Sequence, residues 1–209
     1  MSKLTTTVDQ LASRLEVGDV VFIRIRVPLF EKIASTTQSW TNHVGIVITH
    51  SGPEPVIAES RLPWSGTTGL RRFVARSEAG RVAISRPRAP LTAQQRGAVW
   101  RAAHRRSGIL YDTGFDLHSH RQFCSRFVRE VLADATGVEV GEVEDFSTLF
   151  ARHPNADLRF WRLWYFGNIP WQRQTVTPAS LLRCPHLHPV FDGRVTTRPT
   201  TPPRALAAG

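Results

Sequence analysis

The spacing of apolar residues changes several times along the chain and divides it into strands and helices. Val20 and Phe22, two positions apart, indicate a strand within residues 19–26. Residues 43–49, HVGIVIT, are rich in β-branched side chains; turn residues HSGPEP follow, and extended character resumes over 56–60. These last two segments predict a β-hairpin.

The register of this hairpin decides which side chains meet. If the loop centres near Ser51, position 43 lies opposite position 59. Side chains alternate between the faces of a strand, so one face is predicted to carry the set His43, Gly45, Val47, Ile57 and Glu59. A shift of one residue would separate the set, so the prediction depends on the turn.

Two longer segments show helical spacing. Thr92 begins the first, which ends near Gly108. The second has apolar residues three and four apart, at Phe123, Phe127, Val128, Val131, Leu132 and Ala135. Shorter helical pieces are predicted after Pro28, around 146–151 and at 179–183. A further short strand is predicted over 81–85.

The length of the chain favours one domain. It has 209 residues, 41% of them hydrophobic, which is enough for a single core and short of the length that usually divides in two. Residues 193–209 have no apolar period and many prolines and threonines. We therefore predict one domain over 1–192 and a disordered C-terminal tail over 193–209.

The formal net charge is +10, carried almost wholly by arginine, since Lys3 and Lys32 are the only lysines. Such a balance suits anionic lipid, nucleic acid or acidic substrates. The arginines form no dense run, however, and a bias in base composition would produce the same excess. No nucleic-acid-binding motif is visible. A peripheral contact with anionic lipid therefore stays open, and no specific nucleic-acid partner is expected.

The expected compartment is the cytoplasm. No apolar run resembles a signal peptide, and no stretch of about 18 apolar residues would span a bilayer. The two cysteines, Cys124 and Cys184, stand in unlike contexts and do not form a disulfide framework, which favours a reducing environment.

Cys124 falls in the first turn of the second predicted helix. Unpaired backbone N–H groups and the helix dipole favour negative charge there, so a thiol at this position acquires a lower pKa and nearby oxyanion donors. A free cysteine can equally be a small buried hydrophobe. The turn-rich segment before it makes a nucleophile as plausible as a core residue.

His43 and Glu59 complete a candidate catalytic set. A lone strand histidine is usually a core residue, but the predicted register brings Glu59 beside it as the acceptor that fixes an imidazole tautomer. Glu59 read alone could be an exposed strand carboxylate. Gly45 is predicted to leave the shared face open to an approaching group.

Three segments, NHVGIVITH, VIAESR and FCSRFV, occur in an order that resembles the YiiX/YebB-like family, permuted relatives of the NlpC-type papain-fold hydrolases. Two other stretches, SRLPWSGTTGLRRF and FWRLWYFGNIPWQRQTVTPASL, resemble the YebB members of that family. The likeness runs from about Leu15 to Asp192.

The resemblance implies an α+β, circularly permuted papain-like fold in which a small antiparallel sheet packs against helices. It implies the catalytic residues in the order His43, Glu59 and Cys124, with cysteine last where papain has it first. The activity implied is that of a thiol hydrolase or acyltransferase acting on a peptide, amide, ester or thioester through an acyl-enzyme. The alternative is a catalytically idle binding module for anionic lipid or nucleic acid.

Other residues are assigned smaller roles. Tyr111 and Thr177 are candidates to line the site, although core burial and helix capping explain them equally well. Neither of two histidine groups, His118 with His120 and Cys124, or Cys184 with His186 and His188, has a familiar zinc spacing. No cofactor is expected. The aromatic stretch from Phe160 to Trp171 could line an acyl groove or touch lipid, but core packing is favoured.

Overall fold

The structure, a computed structural model, describes residues 4–50, 52 and 54–196. Its strands are β1 (Leu4–Thr7), β2 (Val20–Ile23), β3 (His43–Thr49), β4 (Val56–Glu59), β5 (Gly66–Gly69), β6 (Arg81–Pro87), β7 (Val143–Asp145), β8 (Gln174–Val176) and β9 (Leu187–Thr196). Seven of them form one sheet in the order β1-β9-β6-β2-β3-β4-β5, and β7 pairs with β8. Within the large sheet β1 runs parallel to β9, and the other neighbours are antiparallel.

The helices are α1 (Val8–Ala12), α2 (Pro28–Thr36), α3 (Leu70–Ala75), α4 (Ala93–Arg105), α5 (Cys124–Thr136), α6 (Phe146–Arg152), α7 (Leu158–Trp164) and α8 (Pro178–Leu182), with a 3-10 turn at Glu78–Gly80. Thr92 caps α4 as predicted. Its hydroxyl accepts a hydrogen bond from the Gln95 backbone N–H, and the Gln95 side-chain oxygen accepts one from the Thr92 backbone N–H. The C-terminal end of α5 is Gly137 in the left-handed conformation.

The large sheet is covered on both faces. Strand residues such as Phe22 and Ile46 pack with α4 and α5 in the larger core cluster. Their neighbours Val21 and Val47 belong to a second cluster with α1 and α3. All four residues of β2 are buried for this reason. The predicted α+β arrangement of a sheet packed against helices is present.

The sheet is larger than predicted and is not wholly antiparallel. The sequence pattern missed β1, β5 and β9, and the parallel pairing of β1 with β9 extends the sheet at one edge. The predicted tail boundary at residue 193 is wrong, because β9 continues to Thr196 and buries Val195. The remainder of that tail, 197–209, lies outside the described residues.

The register of the β3–β4 hairpin differs by two residues from the predicted one. Val47 pairs with Ile57, so Glu59 falls across from position 45, and Ser51 lies outside the described residues. A shift of two keeps the same face, and the predicted shared face of His43 and Glu59 is confirmed. That face is not open at Gly45, because a Cβ there would lie 2.5 Å from Ile57 Cγ2 and 2.9 Å from the Phe73 ring.

Candidate active site

Cys124 is the first residue of α5, where backbone N–H groups have no partner within the helix. The residue before it, Phe123, has no side-chain oxygen to cap them. The start of the helix is fixed by Ser125, whose hydroxyl donates to the Val176 carbonyl at 2.7 Å. The Cys124 side chain is therefore held beside free donors that favour negative charge.

His43 lies at the first position of β3, at the end of the sheet, and is fully buried. Its ring sits between Phe30 at 6.0 Å and Phe73 at 5.9 Å, one residue from each core cluster. Nε2 lies 2.6 Å from Glu59 Oε2. Among the described residues Nδ1 has no hydrogen-bond partner, which leaves this nitrogen free for proton transfer.

Glu59 is held on two sides. Besides His43, it accepts two hydrogen bonds from Arg76 Nη2, at 2.7 and 2.8 Å, and Arg61 Nε lies 3.7 Å away. The guanidinium of Arg76 also stacks over Phe73 at 4.9 Å. Burial would raise the pKa of Glu59, but His43 and Arg76 outweigh it and lower that pKa from 4.5 to about 2. The carboxylate stays charged at neutral pH.

The pKa values of Cys124 and His43 are displaced toward each other. Burial acts to lower the pKa of His43, yet the negative charges of Cys124 and Glu59 prevail and raise it from 6.5 to about 9. Burial likewise acts to raise the pKa of Cys124, but His43, with smaller help from the Val44 backbone and Tyr111, lowers it. A thiolate and an imidazolium are therefore favoured together.

Tyr111 stands against the thiol. Its hydroxyl lies 3.9 Å from Cys124 Sγ, and its ring meets Phe30 edge-on at 6.0 Å. Burial, reinforced by the charge of Cys124, raises the pKa of Tyr111 well above its usual range. The phenol thus remains protonated and can donate a hydrogen bond to a thiolate.

An apolar cavity opens onto Cys124. The cavity is narrow, with a volume of about 40 Å³. Its walls come from α2, α5, α6, α7 and the segment before α8, and they include Ile33, Tyr111, Phe115, Phe146, Leu149, Phe150, Trp161, Val176 and Thr177. Thr177 lines this wall while its hydroxyl caps α8 by accepting from Ser180 N at 3.1 Å.

A second cavity includes His43 in its wall. Its polar lining is basic, with Arg61, Arg72 and Arg76, and its apolar lining includes Val27 and Leu62. The two cavities are thus different in character, and each reaches one member of the Cys124–His43 pair.

Of the predicted site residues, Cys124, Tyr111 and Thr177 line the apolar cavity. His43 lines the basic cavity, and Glu59 is hydrogen-bonded to His43 without lining either cavity. Sequence reasoning missed the arginines around Glu59. Arg76 ends α3, a helix that the apolar pattern did not predict, and only the folded chain brings it to Glu59. No local spacing could have indicated this ion pair.

The aromatic stretch divides between the core and the surface. Trp161 is buried and donates from Nε1 to the Thr36 hydroxyl at 2.8 Å, whereas Leu163 and Phe166 are exposed. None of the helices over the described residues is both long and apolar enough to cross a bilayer.

The chain is similar to YiiX of Escherichia coli. It is 26% identical over 184 residues to the uncharacterized protein YiiX of strain K12, covering 88% of this chain and 90% of that one. The crystal structure of the metalloprotein yiiX from Escherichia coli O157:H7 superposes with a TM-score of 0.78 at 26% identity, covering 87% of this chain and 99% of the other.

That relative is called a metalloprotein, and a protein metal site needs several ligating side chains close together. Within the part of the chain that the structure describes, no group of three or more His, Cys, Asp or Glu side chains could hold a metal ion. His118 Nε2 instead lies 2.9 Å from Gln174 Oε1, and Cys184 is buried in the larger core cluster. The described residues therefore do not fit a bound metal.

The model of the family described as the permuted papain-like amidase enzyme, YaeF/YiiX, C92 family, matches residues 14–191. This match spans the sheet, the helix that begins at Cys124 and both cavities. The chain therefore belongs to the C92 family of permuted papain-like amidases.

Proposed function

We propose that this protein hydrolyses an amide bond with Cys124 as nucleophile, His43 as general base and acid, and Glu59 as the residue that orients His43. The observation that carries the proposal is the row of hydrogen bonds from Arg76 through Glu59 to His43, together with the lowering of the Cys124 pKa by His43. A nucleophile, a base and a group that orients the base form the arrangement that thiol acyl transfer requires.

In the first half-reaction the Cys124 thiolate attacks the amide carbonyl carbon and forms a C–S bond. The backbone N–H of Cys124 stabilises the resulting oxyanion. His43 then gives its proton to the amide nitrogen, the C–N bond breaks and the amine leaves. The product is a thioester between the acyl group and Cys124.

In the second half-reaction His43 takes a proton from water, which attacks the thioester carbonyl. The C–S bond breaks, the carboxylic acid leaves and Cys124 returns as thiolate. An alcohol or amine in place of water would make the same site an acyltransferase, and ester or thioester substrates would form the same intermediate. We place this chemistry in the cytoplasm.

The test is the pH dependence of Cys124 alkylation by iodoacetamide. Cys184→Ser protein leaves Cys124 as the one thiol that reacts. We expect an apparent pKa below the free value of about 8.5, and a rise to or above that value in His43→Ala, because burial is then no longer opposed. His104→Ala, which alters an exposed histidine on α4, is the control. An ordinary or inert Cys124 in both proteins would remove the basis of the proposal.

The alternative, a binding module for anionic lipid, has an observation of its own. Leu163 and Phe166 are 80% and 99% exposed, and Arg159 and Arg162 lie on the same short helix and carry positive charge. Exposed apolar side chains beside cations suit an anionic bilayer surface. Such a contact is compatible with catalysis, and it becomes the main function only if Cys124 proves unreactive.

A further inference from the structure

Each of the two cavities is lined by one member of the Cys124–His43 pair. The apolar cavity is lined by Cys124, and the basic cavity by His43. Phe30 lines the basic cavity and packs edge-on against Tyr111, which lines the apolar one. The contact between Phe30 and Tyr111 therefore joins the walls of the two cavities.

The chemistry of amide cleavage assigns a substrate half to each cavity. The acyl carbon becomes bonded to the Cys124 sulfur, so the acyl group extends from the cysteine side. The amine receives its proton from the histidine, so the leaving group extends from the His43 side. The apolar cavity accordingly faces the acyl group and the basic cavity faces the amine.

The basic cavity carries more positive than negative charge. Among the described residues, Glu59 is the one carboxylate that forms ion pairs with these arginines, and Arg76 and Arg61 already share it. Arg72 makes no ion pair or side-chain hydrogen bond with any described residue. The Nε atoms of Arg61 and Arg76 are buried and have no hydrogen-bond partner within the described chain. Donors of this kind suit an anionic oxygen.

We propose, on the basis of the function proposed above, that the leaving amine carries a carboxylate and that the substrate is an N-acyl amino acid. The apolar cavity holds the acyl chain, and Arg72 with Arg61 binds the carboxylate. Water and the N-acyl amino acid give a carboxylic acid and a free amino acid. Val27 and Leu62, which are partly exposed at the rim, contact the amino-acid side chain.

The test compares N-butanoyl-alanine, whose acyl chain is short enough for the narrow cavity, with the uncharged N-butanoyl-alanine amide, by release of the amine. We expect kcat/KM to favour the carboxylate by about tenfold or more, and this ratio to fall toward one in Arg72→Ala. Arg72 is exposed, so its loss spares the fold. Arg71→Ala, which alters the neighbouring arginine that pairs with Asp9 outside the cavity, should keep the ratio. Equal rates for the two amides in wild type would overturn the inference.

Two further measurements separate this inference from the proposed function. Hydrolysis of p-nitrophenyl butanoate, lost in Cys124→Ala, tests the nucleophile with a leaving group that carries no carboxylate. Calorimetric binding of the two amides to Cys124→Ala tests recognition without turnover. Tighter binding of the carboxylate, lost on adding Arg72→Ala, supports the inference even if no hydrolysis occurs. Equal binding refutes it even if the ester is cleaved.

Discussion

At the scale of single residues, Glu59 holds a negative charge where no solvent reaches. The charge is supported by His43 on one side and Arg76 on the other, at distances of 2.6 to 2.8 Å. Removing one member of such a buried set leaves the others uncompensated, and this usually costs more than the set contributed. The carboxylate therefore serves stability as well as the orientation of the imidazole.

Glu59→Gln should lower the free energy of unfolding at pH 7 by about 3 kcal/mol. The folded pKa of Glu59 is lowered to about 2 from 4.5, so its stabilisation is fully present above pH 4.5 and is lost as pH falls through 2. The difference between wild type and variant should thus shrink steadily below pH 4.5.

Urea unfolding at several pH values measures this difference. Glu142→Gln is the control, because its ion pair with Arg152 is exposed and should contribute no more than about 1 kcal/mol. A wild-type advantage over Glu59→Gln that stays constant from pH 7 to 3 would contradict the lowered pKa.

At the scale of secondary-structure elements, α2 separates the two cavities. Phe30 faces the basic one, while Ile33 and Thr36 face the apolar one. The helix is fastened to α7 by Lys32, which lies 2.6 Å from Asp157, and by the Trp161–Thr36 hydrogen bond. With His43 fully buried and Cys124 almost so, this helix limits what reaches them.

Phe30→Leu should widen the passage to Cys124 while keeping an apolar side chain in the core. We expect Cys124 to react faster with a bulky aromatic disulfide in this variant, and the rate with small iodoacetamide to change much less. The loss of buried volume should cost about 1 to 2 kcal/mol, which most domains tolerate.

Phe191→Leu provides the matched control, since it removes the same volume from the second core cluster. If both variants raise the reactivity toward the bulky reagent equally, general loosening explains the effect. The position of Phe30 would then have no special part in access.

At the scale of the whole molecule, the chain combines an excess of positive charge with exposed apolar side chains at the end of α7. The net charge is +10, and Leu163 and Phe166 project from the end of α7 and the turn after it. The sequence favours core packing for the aromatic stretch from Phe160 to Trp171, and Trp161 is indeed buried. Its two outward residues could be recognised only once the helix was placed.

We predict that the protein sediments with phosphatidylglycerol vesicles at low salt and less with phosphatidylcholine vesicles. Leu163→Ser combined with Phe166→Ser should weaken this binding by about tenfold or more, because each side chain buries apolar area in the bilayer. Leu110→Ser, at another exposed leucine, should leave it unchanged. Equal binding by all three proteins would exclude α7 as the contact.

The sequence predicts the parts of the fold whose signal is local. The β-branched run of β3 and the threes-and-fours spacing of α5 predict those elements, and the hairpin brings His43 and Glu59 to one face. By contrast, β9 contains Pro189 and Gly193 and is half exposed, so its sequence resembles a loop.

The predicted site is complete in its central residues and incomplete around them. The helix start, the strand register and the family resemblance are enough to predict Cys124, His43 and Glu59. The fold brings these three residues together. In the sequence nothing distinguishes Arg61, Arg72 and Arg76 from the many other arginines. They share one cavity because α3 packs beside β4 in the folded chain. Charge clusters of this kind depend on tertiary structure and have no periodicity to reveal them.

The position of β9 has a consequence for synthesis. It is the last described strand in the chain, yet it lies inside the sheet, between β1 and β6. Until residue 196 has left the ribosome, β1 has no neighbour in the sheet and β6 presents an unpaired edge. A nascent chain in this state exposes a template for pairing with other chains. Closing the sheet joins Leu4 to Gly193, so this long-range pairing has to wait until β9 has been synthesised, and it is expected to be a slow step of folding.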